Sequence, residues 1–130
     1  MREILFRGKR IDNGEWEYGY YVRFGATGSE RAYILPRYAS ALYVVEVIPE
    51  TVGQYTELND KIVNKIFEGD IVNILTEVDE IGVIEWADTE AMFVVVADCW
   101  CANFDNYYGY DLEVIGNIHD NPELLSGGEV

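Results

Sequence analysis

Apolar and polar positions alternate clearly at the start of the chain. From Glu15 to Arg23, Trp16, Tyr18, Tyr20 and Val22 share one parity, while Glu15, Glu17, Gly19 and Tyr21 share the other. Period two over that length is the pattern of a half-buried strand. Glu3 to Arg10 reads as the strand before it. Asn13-Gly14 between them is a tight-hairpin signal, because both residues tolerate positive φ. We assign the Trp16, Tyr18, Tyr20 face to the core. The alternative is an exposed platform on which bases or sugars stack.

The pattern continues in short strands. Gly25 to Ser29 is a loop, and Arg31 to Leu35 is a strand that Pro36 ends or confines to a sheet edge. Ala41 to Ile48 is apolar on both faces except at Glu46, as expected of a strand buried between layers. Pro49 has no N–H to donate and stops that ladder, and Val52 to Thr56 resumes it. Glu57 to Ile66 reads as a polar connection in which Asn59-Asp60 favours a turn. Ile66-Phe67 then enters a second region, with a turn at Glu68-Gly69-Asp70 and strands over 71–75, 82–86, 92–97 and 112–118. Glu77 to Glu80 is a charged tip, Ala87 to Glu90 a turn, and Asn103 to Tyr110 a tyrosine-rich loop. Asn121-Pro122 starts a short helical turn through Leu125. Strands at roughly ten-residue spacing with turn signals between them predict an all-β fold. The boundaries are an N-terminal β subdomain over 1–65, a five-stranded SH3-like barrel over 66–125 with Trp86 in its core, and a flexible tail over 126–130.

Composition narrows the class. The 130 residues are 49% hydrophobic and 14% aromatic, enough for a packed core and against disorder. No window approaches the roughly 18 to 20 apolar residues of a membrane span, and the N-terminus has no signal-peptide core. These features predict a soluble, cytoplasmic protein. The net charge of −15 is unevenly distributed: all nine Lys and Arg lie within the first 65 residues together with nine acids, and 66–130 holds fifteen acids and no Lys or Arg. Such asymmetry fits a partner, an acidic surface or plain solubility. It argues against direct nucleic-acid binding, because the second half offers no basic footprint.

Candidate chemistry is sparse. Cys99 and Cys101 are two apart, so on a strand their side chains diverge and a disulfide is unfavourable. With His119 and Asp98 they make a poor zinc set, and they are read as reduced thiols. The corner Pro49, Glu50, Thr51, Gly53, Gln54, Tyr55 could hold a substrate, but Thr hydroxyls and Gln amides also close corners by bonding to the main chain. Gly69 between Glu68 and Asp70 indicates a positive-φ turn that Asp70 caps, or two ligands of a hard cation lacking a third. There is no glycine-rich phosphate loop, HExxH or nucleophile elbow. We assign no catalytic residue, metal or cofactor, and the reading leans against an enzyme.

The opening Arg2-Glu3-Ile4-Leu5-Phe6-Arg7-Gly8-Lys9, Asn13-Gly14-Glu15-Trp16 with Tyr18-Gly19-Tyr20-Tyr21, Pro49 to Thr56, Glu68-Gly69-Asp70-Ile71-Val72, and Val114 to Leu124 occur in the order of the YopX family of phage and prophage proteins, which the chain resembles. It departs from the family after Thr56: Glu57 stands where a Gly is usual, and Lys61-Ile62-Val63-Asn64-Lys65 replaces a Lys-Asn-Gly-Lys type turn. The resemblance implies a mostly β, phage-derived protein in a bacterial cytoplasm and supplies no activity. The leading expectation is an accessory protein acting through protein contacts as a homo-oligomer, with Trp16, Tyr18, Tyr20, Tyr107, Tyr108 and Tyr110 as interface aromatics. Alternatives are an acidic nucleic-acid mimic that inhibits a basic protein, and a metal-assisted hydrolase using clustered carboxylates.

Overall fold

Among the described residues, eleven short strands follow the turn signals in the chain. A computed structural model describes residues 3–36, 44–75, 80–97, 101–103 and 112–126, the segment 101–103 by its backbone alone. The interface aromatics Tyr107, Tyr108 and Tyr110 and the thiol Cys99 lie outside the described residues. The strands are β1 Phe6–Lys9, β2 Trp16–Phe24, β3 Arg31–Pro36, β4 Val45–Val47, β5 Gly53–Asn59, β6 Lys65–Phe67, β7 Asp70–Ile74, β8 Glu80–Ala87, β9 Met92–Val96, β10 Cys101–Asn103 and β11 Leu112–Asn117. A 3-10 turn covers Pro49–Thr51, and a single helical turn, α1, covers Glu123–Ser126. The fold is all-β, and among the described residues no helix is long and apolar enough to cross a membrane.

The chain divides into two compact units, Met1–Tyr55 and Thr56–Val130, ten residues before the change in charge. In the first unit the sheet order is β4-β3-β2-β1-β5, and β5 runs on past Tyr55 to pair with β6 in the second. Asn13-Gly14 closes the β1–β2 hairpin as its composition predicts. Gly14 takes φ 74°, its N–H donates to the Arg10 carbonyl at 3.0 Å, and Asn13 Oδ1 accepts the Glu15 N–H at 2.9 Å. The core of this unit gathers Ala32, Ile34 and Val47, with Phe6, Tyr21 and Val52 packed on them. Gly19 on β2 is buried because β3 runs against it: a Cβ there would lie 2.0 Å from the Leu35 carbonyl oxygen.

The second unit holds an antiparallel sheet of order β10-β9-β8-β7-β11. Its core is Ile66, Val72, Ile74, Ile84, Val95 and Leu112, with Leu58 and Val114 against it. The expected SH3-like barrel is not confirmed. Among the described residues β10 and β11, the two ends of the sheet, do not pair, so the sheet stays open. The reason lies in the stretch 57–66, expected to be plain connection. Its turn caps the free edge of β11, with Lys61 N–H donating to the Leu112 carbonyl at 3.1 Å and Val114 N–H to Asp60 Oδ2 at 2.9 Å. An edge whose donors and acceptors are already taken has nothing to offer a closing strand.

Trp86 also departs from expectation. It is 43% exposed, at the end of β8, edge-on to Phe93 with ring centres 5.0 Å apart and planes at 71°. Its parity on β8 is that of buried Ile84, but it lies beyond the last core layer.

Candidate functional site

The polar motifs that stand out in the sequence sit where chain segments are fastened together. Thr51, buried at the Pro49–Thr51 turn, donates its hydroxyl to the Ile48 carbonyl at 2.6 Å and accepts the Lys9 N–H at 2.9 Å. That one side chain locks the corner to β1. Gly53 and Gln54 pair with Arg7 and Phe6 on β1, and the Tyr55 N–H reaches the Leu5 carbonyl at 2.8 Å. Tyr55 is buried, Gln54 half-buried and Pro49 and Glu50 exposed.

Glu68-Gly69-Asp70 forms a similar junction in the second unit. Gly69 takes φ 92°, its N–H donates to the Ile84 carbonyl at 2.8 Å, and its own carbonyl accepts the Ile118 N–H at 3.0 Å. Asp70, 2% exposed, accepts the Phe67 N–H at 2.7 Å through Oδ2. Asn117 closes the corner after β11, its Oδ1 taking the His119 and Asp120 N–H groups at 3.0 and 2.9 Å.

Asp60 is the hub that the sequence reading missed. It is 4% exposed. Oδ1 accepts the N–H groups of Ile62 at 3.0 Å and Asn64 at 2.8 Å, and Oδ2 accepts Val114 N–H. Burial alone would raise its pKa, but the donated N–H groups of Val114, Asn64 and Ile62, with the Asn64 amide, outweigh it and hold the pKa below the usual value. The available signal was Asn59-Asp60 itself, whose turn tendency was seen but not its reach to β11.

The exposed surface of β2 is where geometry leaves something unused. The sequence reading placed Trp16, Tyr18 and Tyr20 in the core, and the structure reverses that. Tyr18 is 43% exposed, Tyr20 51%, Val22 38% and Phe24 53%, with Trp16 half-buried. The opposite parity, Gly19 and Tyr21, faces the core instead. Alternation identifies two faces without saying which is inward, and a buried glycine on the polar-looking face is what decides it here.

The register extends this face to the neighbouring strands. Trp16 lies opposite Lys9 and Tyr18 opposite Arg7, while Tyr20, Val22 and Phe24 lie opposite Leu35, Tyr33 and Arg31. Phe24 stacks on Tyr33 at 4.5 Å. The Arg7 guanidinium lies 4.7 Å from the Trp16 ring centre and the Lys9 ammonium 5.8 Å from it, both within cation–π range. The result is an aromatic stripe edged by cations.

A small open cleft of about 330 Å³, lined by Arg10, Ile11, Asp12, Val44, Val45 and Glu46, is a weaker candidate. Its Arg10 is already held by Asp12 at 2.8 Å and Glu17 at 2.9 Å. The hydrogen bond from Arg10 keeps the Asp12 pKa below its ordinary value. A cation so engaged offers little to an anionic ligand.

The geometry therefore defines a two-unit all-β protein with fastened corners and an exposed aromatic sheet face. The family described as YopX protein matches residues 5–126, nearly the whole chain, and the protein belongs to the YopX family. Among solved structures, the crystal structure of protein EF1440 from Enterococcus faecalis is similar at 24% identity, over 96% of this chain and 99% of that one, with a TM-score of 0.57. At that identity the likeness is one of fold. A comparison with curated proteins finds no match.

Proposed function

We propose that this protein is a non-enzymatic accessory protein of phage origin, working in a bacterial cytoplasm through protein contacts. In this reading it self-associates by packing the aromatic face of β2 against the same face of a second copy. The observation that carries the reading is the run of Tyr18, Tyr20, Val22 and Phe24 left exposed on one strand, since contiguous apolar patches of this kind mark interaction sites. Charge supports a second copy as the occupant. Residues 1–55 hold seven Lys or Arg and seven Asp or Glu, whereas 56–130 hold two and seventeen. Two copies approaching through their first units meet without net repulsion, which the second units would not allow.

Sedimentation velocity and light scattering between about 1 and 100 µM test this reading. The wild-type chain is expected to form a dimer and Tyr20→Asp to lose it. Because Tyr20 is exposed, the substitution should leave stability within about 0.5 kcal/mol. A wild-type chain that is strictly monomeric at the highest concentration rejects self-association.

A further inference from the structure

Asn13-Gly14 is the only Asn-Gly pair in the chain, and such a pair carries a reaction of its own. The glycine amide nitrogen attacks the side-chain amide carbon of the asparagine before it, and glycine has no Cβ to hinder the approach. Here a bond would form from Gly14 N to Asn13 Cγ. The Gly14 amide proton passes through solvent to the departing –NH2 group, and ammonia leaves a five-membered succinimide. Water then adds to one of the two imide carbonyls and reopens the ring. One opening gives aspartate, the other isoaspartate, whose main chain runs through the side-chain carbons. The net change is amide plus water to carboxylic acid plus ammonia, with nothing oxidised or reduced.

Burial does not shield the pair, because residues 11–15 are all exposed. Bonding shields it instead. Gly14 N–H donates to the Arg10 carbonyl at 3.0 Å, so the proton that must leave is engaged, and closing the imide ring would turn that N–H away from its acceptor. Asn13 Oδ1 is held by Glu15 N–H at 2.9 Å. That bond polarises the side-chain carbonyl toward attack, but to no effect while the Gly14 nitrogen is tied. The loop that makes these bonds is itself fastened. Arg10 N–H donates to the Glu15 carbonyl at 2.8 Å and Ile11 N–H to the Glu46 carbonyl at 3.2 Å. The Arg10 guanidinium grips both Asp12 carboxylate oxygens at 2.9 and 2.8 Å and reaches Glu17 at 2.9 Å. Reaction at Asn13 therefore waits on opening of the β1–β2 turn, and its rate follows the population of the open form.

We propose that Asn13 is a latent self-modification site: the folded hairpin holds it as the amide, and its isoaspartate product keeps an opened hairpin from re-forming. Aspartate at this position still offers a carboxylate oxygen to Glu15 N–H. Isoaspartate instead adds a methylene to the main chain between Asp12 and Gly14. That moves Gly14 N–H off the Arg10 carbonyl and disturbs the register of β2 on β1. A chain that has stayed open here long enough to react is thereby marked by its own chemistry. The site is separate from the exposed aromatic face and does not depend on self-association.

The test incubates the full chain at mildly alkaline pH, folded in buffer and unfolded in guanidinium chloride at the same temperature. Peptide mass spectrometry reads loss of the Asn13 amide, and an isoaspartate-specific methyltransferase reads the isomer. A short Asn-Gly peptide in both solutions corrects for the solvent. The folded chain is expected to react at least about tenfold more slowly than the unfolded one. Hydrogen exchange followed by NMR should show Gly14 N–H protected to a similar extent. Isoaspartate-bearing chains returned to buffer should melt below wild type, whereas Asn13→Asp should melt close to it. A folded chain that reacts as fast as the unfolded one, or faster, overturns the proposal. So does a Gly14 N–H that exchanges freely in the folded chain, or an isoaspartyl chain that melts as wild type does.

Discussion

Val63 and Glu57 have backbone angles usually left to glycine, with φ 68° and 75°. Both fall in the stretch where the chain departs from the usual YopX pattern, and Glu57 occupies the position where Gly is common there. A left-handed non-glycine residue costs about 1–2 kcal/mol, and glycine returns some of that gain through the greater entropy of its unfolded state. Val63→Gly should therefore stabilise by about 0.5–1 kcal/mol in urea unfolding, and Val63→Asn, which tolerates this region, by a similar amount. Asp60 gives the contrasting case. Asp60→Asn loses charge-assisted bonds to three backbone N–H groups and should cost about 2–3 kcal/mol at pH 7. Because the folded pKa lies below the ordinary carboxylate value, the native state holds fewer protons there, and the stabilisation is fully present above that ordinary value. It is lost as pH falls through the lower, folded value. The gap between wild type and Asp60→Asn should be constant from about pH 5 to 7 and shrink below about pH 4. A gap independent of pH would mean that the carboxylate charge is irrelevant to the clamp.

At the scale of elements, most strands were legible and their relations less so. The β1–β2 hairpin could be read from Asn13-Gly14 and the alternation after it, because turn geometry and period are local properties. Which face of β2 was buried could not, since Trp16, Tyr18 and Tyr20 look more apolar than Glu17, Gly19 and Tyr21. The decision came from β3, whose backbone passes so close that only Gly19 fits. Gly19→Ala should accordingly push β2 from β3 and destabilise by about 3 kcal/mol, seen as a lower urea midpoint. An effect below about 0.5 kcal/mol would show that the two strands can separate freely there. The second half of β5 was hidden because Glu57-Leu58-Asn59 does not alternate, its ladder being interrupted by the left-handed Glu57. The barrel expectation is not confirmed for a related reason: strand count and spacing do not reveal that a polar turn occupies the edge of β11. Candidate sites followed the same division. The motifs of distinctive composition proved to be fasteners through Thr51 and Asp70, whereas the exposed aromatic face became visible only with burial in hand.

Across the whole molecule the dominant fact is that seventeen carboxylates and two cations share residues 56–130, while residues 1–55 are balanced. Salt should then act on two properties in different ways. Screening shortens the reach of charge from about 10 Å at 0.1 M to about 3 Å at 1 M, so repulsion within the acidic unit weakens and its melting temperature should rise. Contact through the balanced unit is chiefly apolar, and its dimer constant should change little. A NaCl series from about 0.05 to 0.5 M, followed by calorimetry and by sedimentation, separates the two. The expected pattern is a higher melting temperature and a nearly constant wild-type dimer. A melting temperature that falls with salt would mean that attractive pairs outweigh repulsion among the acids, and the acidic unit would then be held together by its charges rather than strained by them.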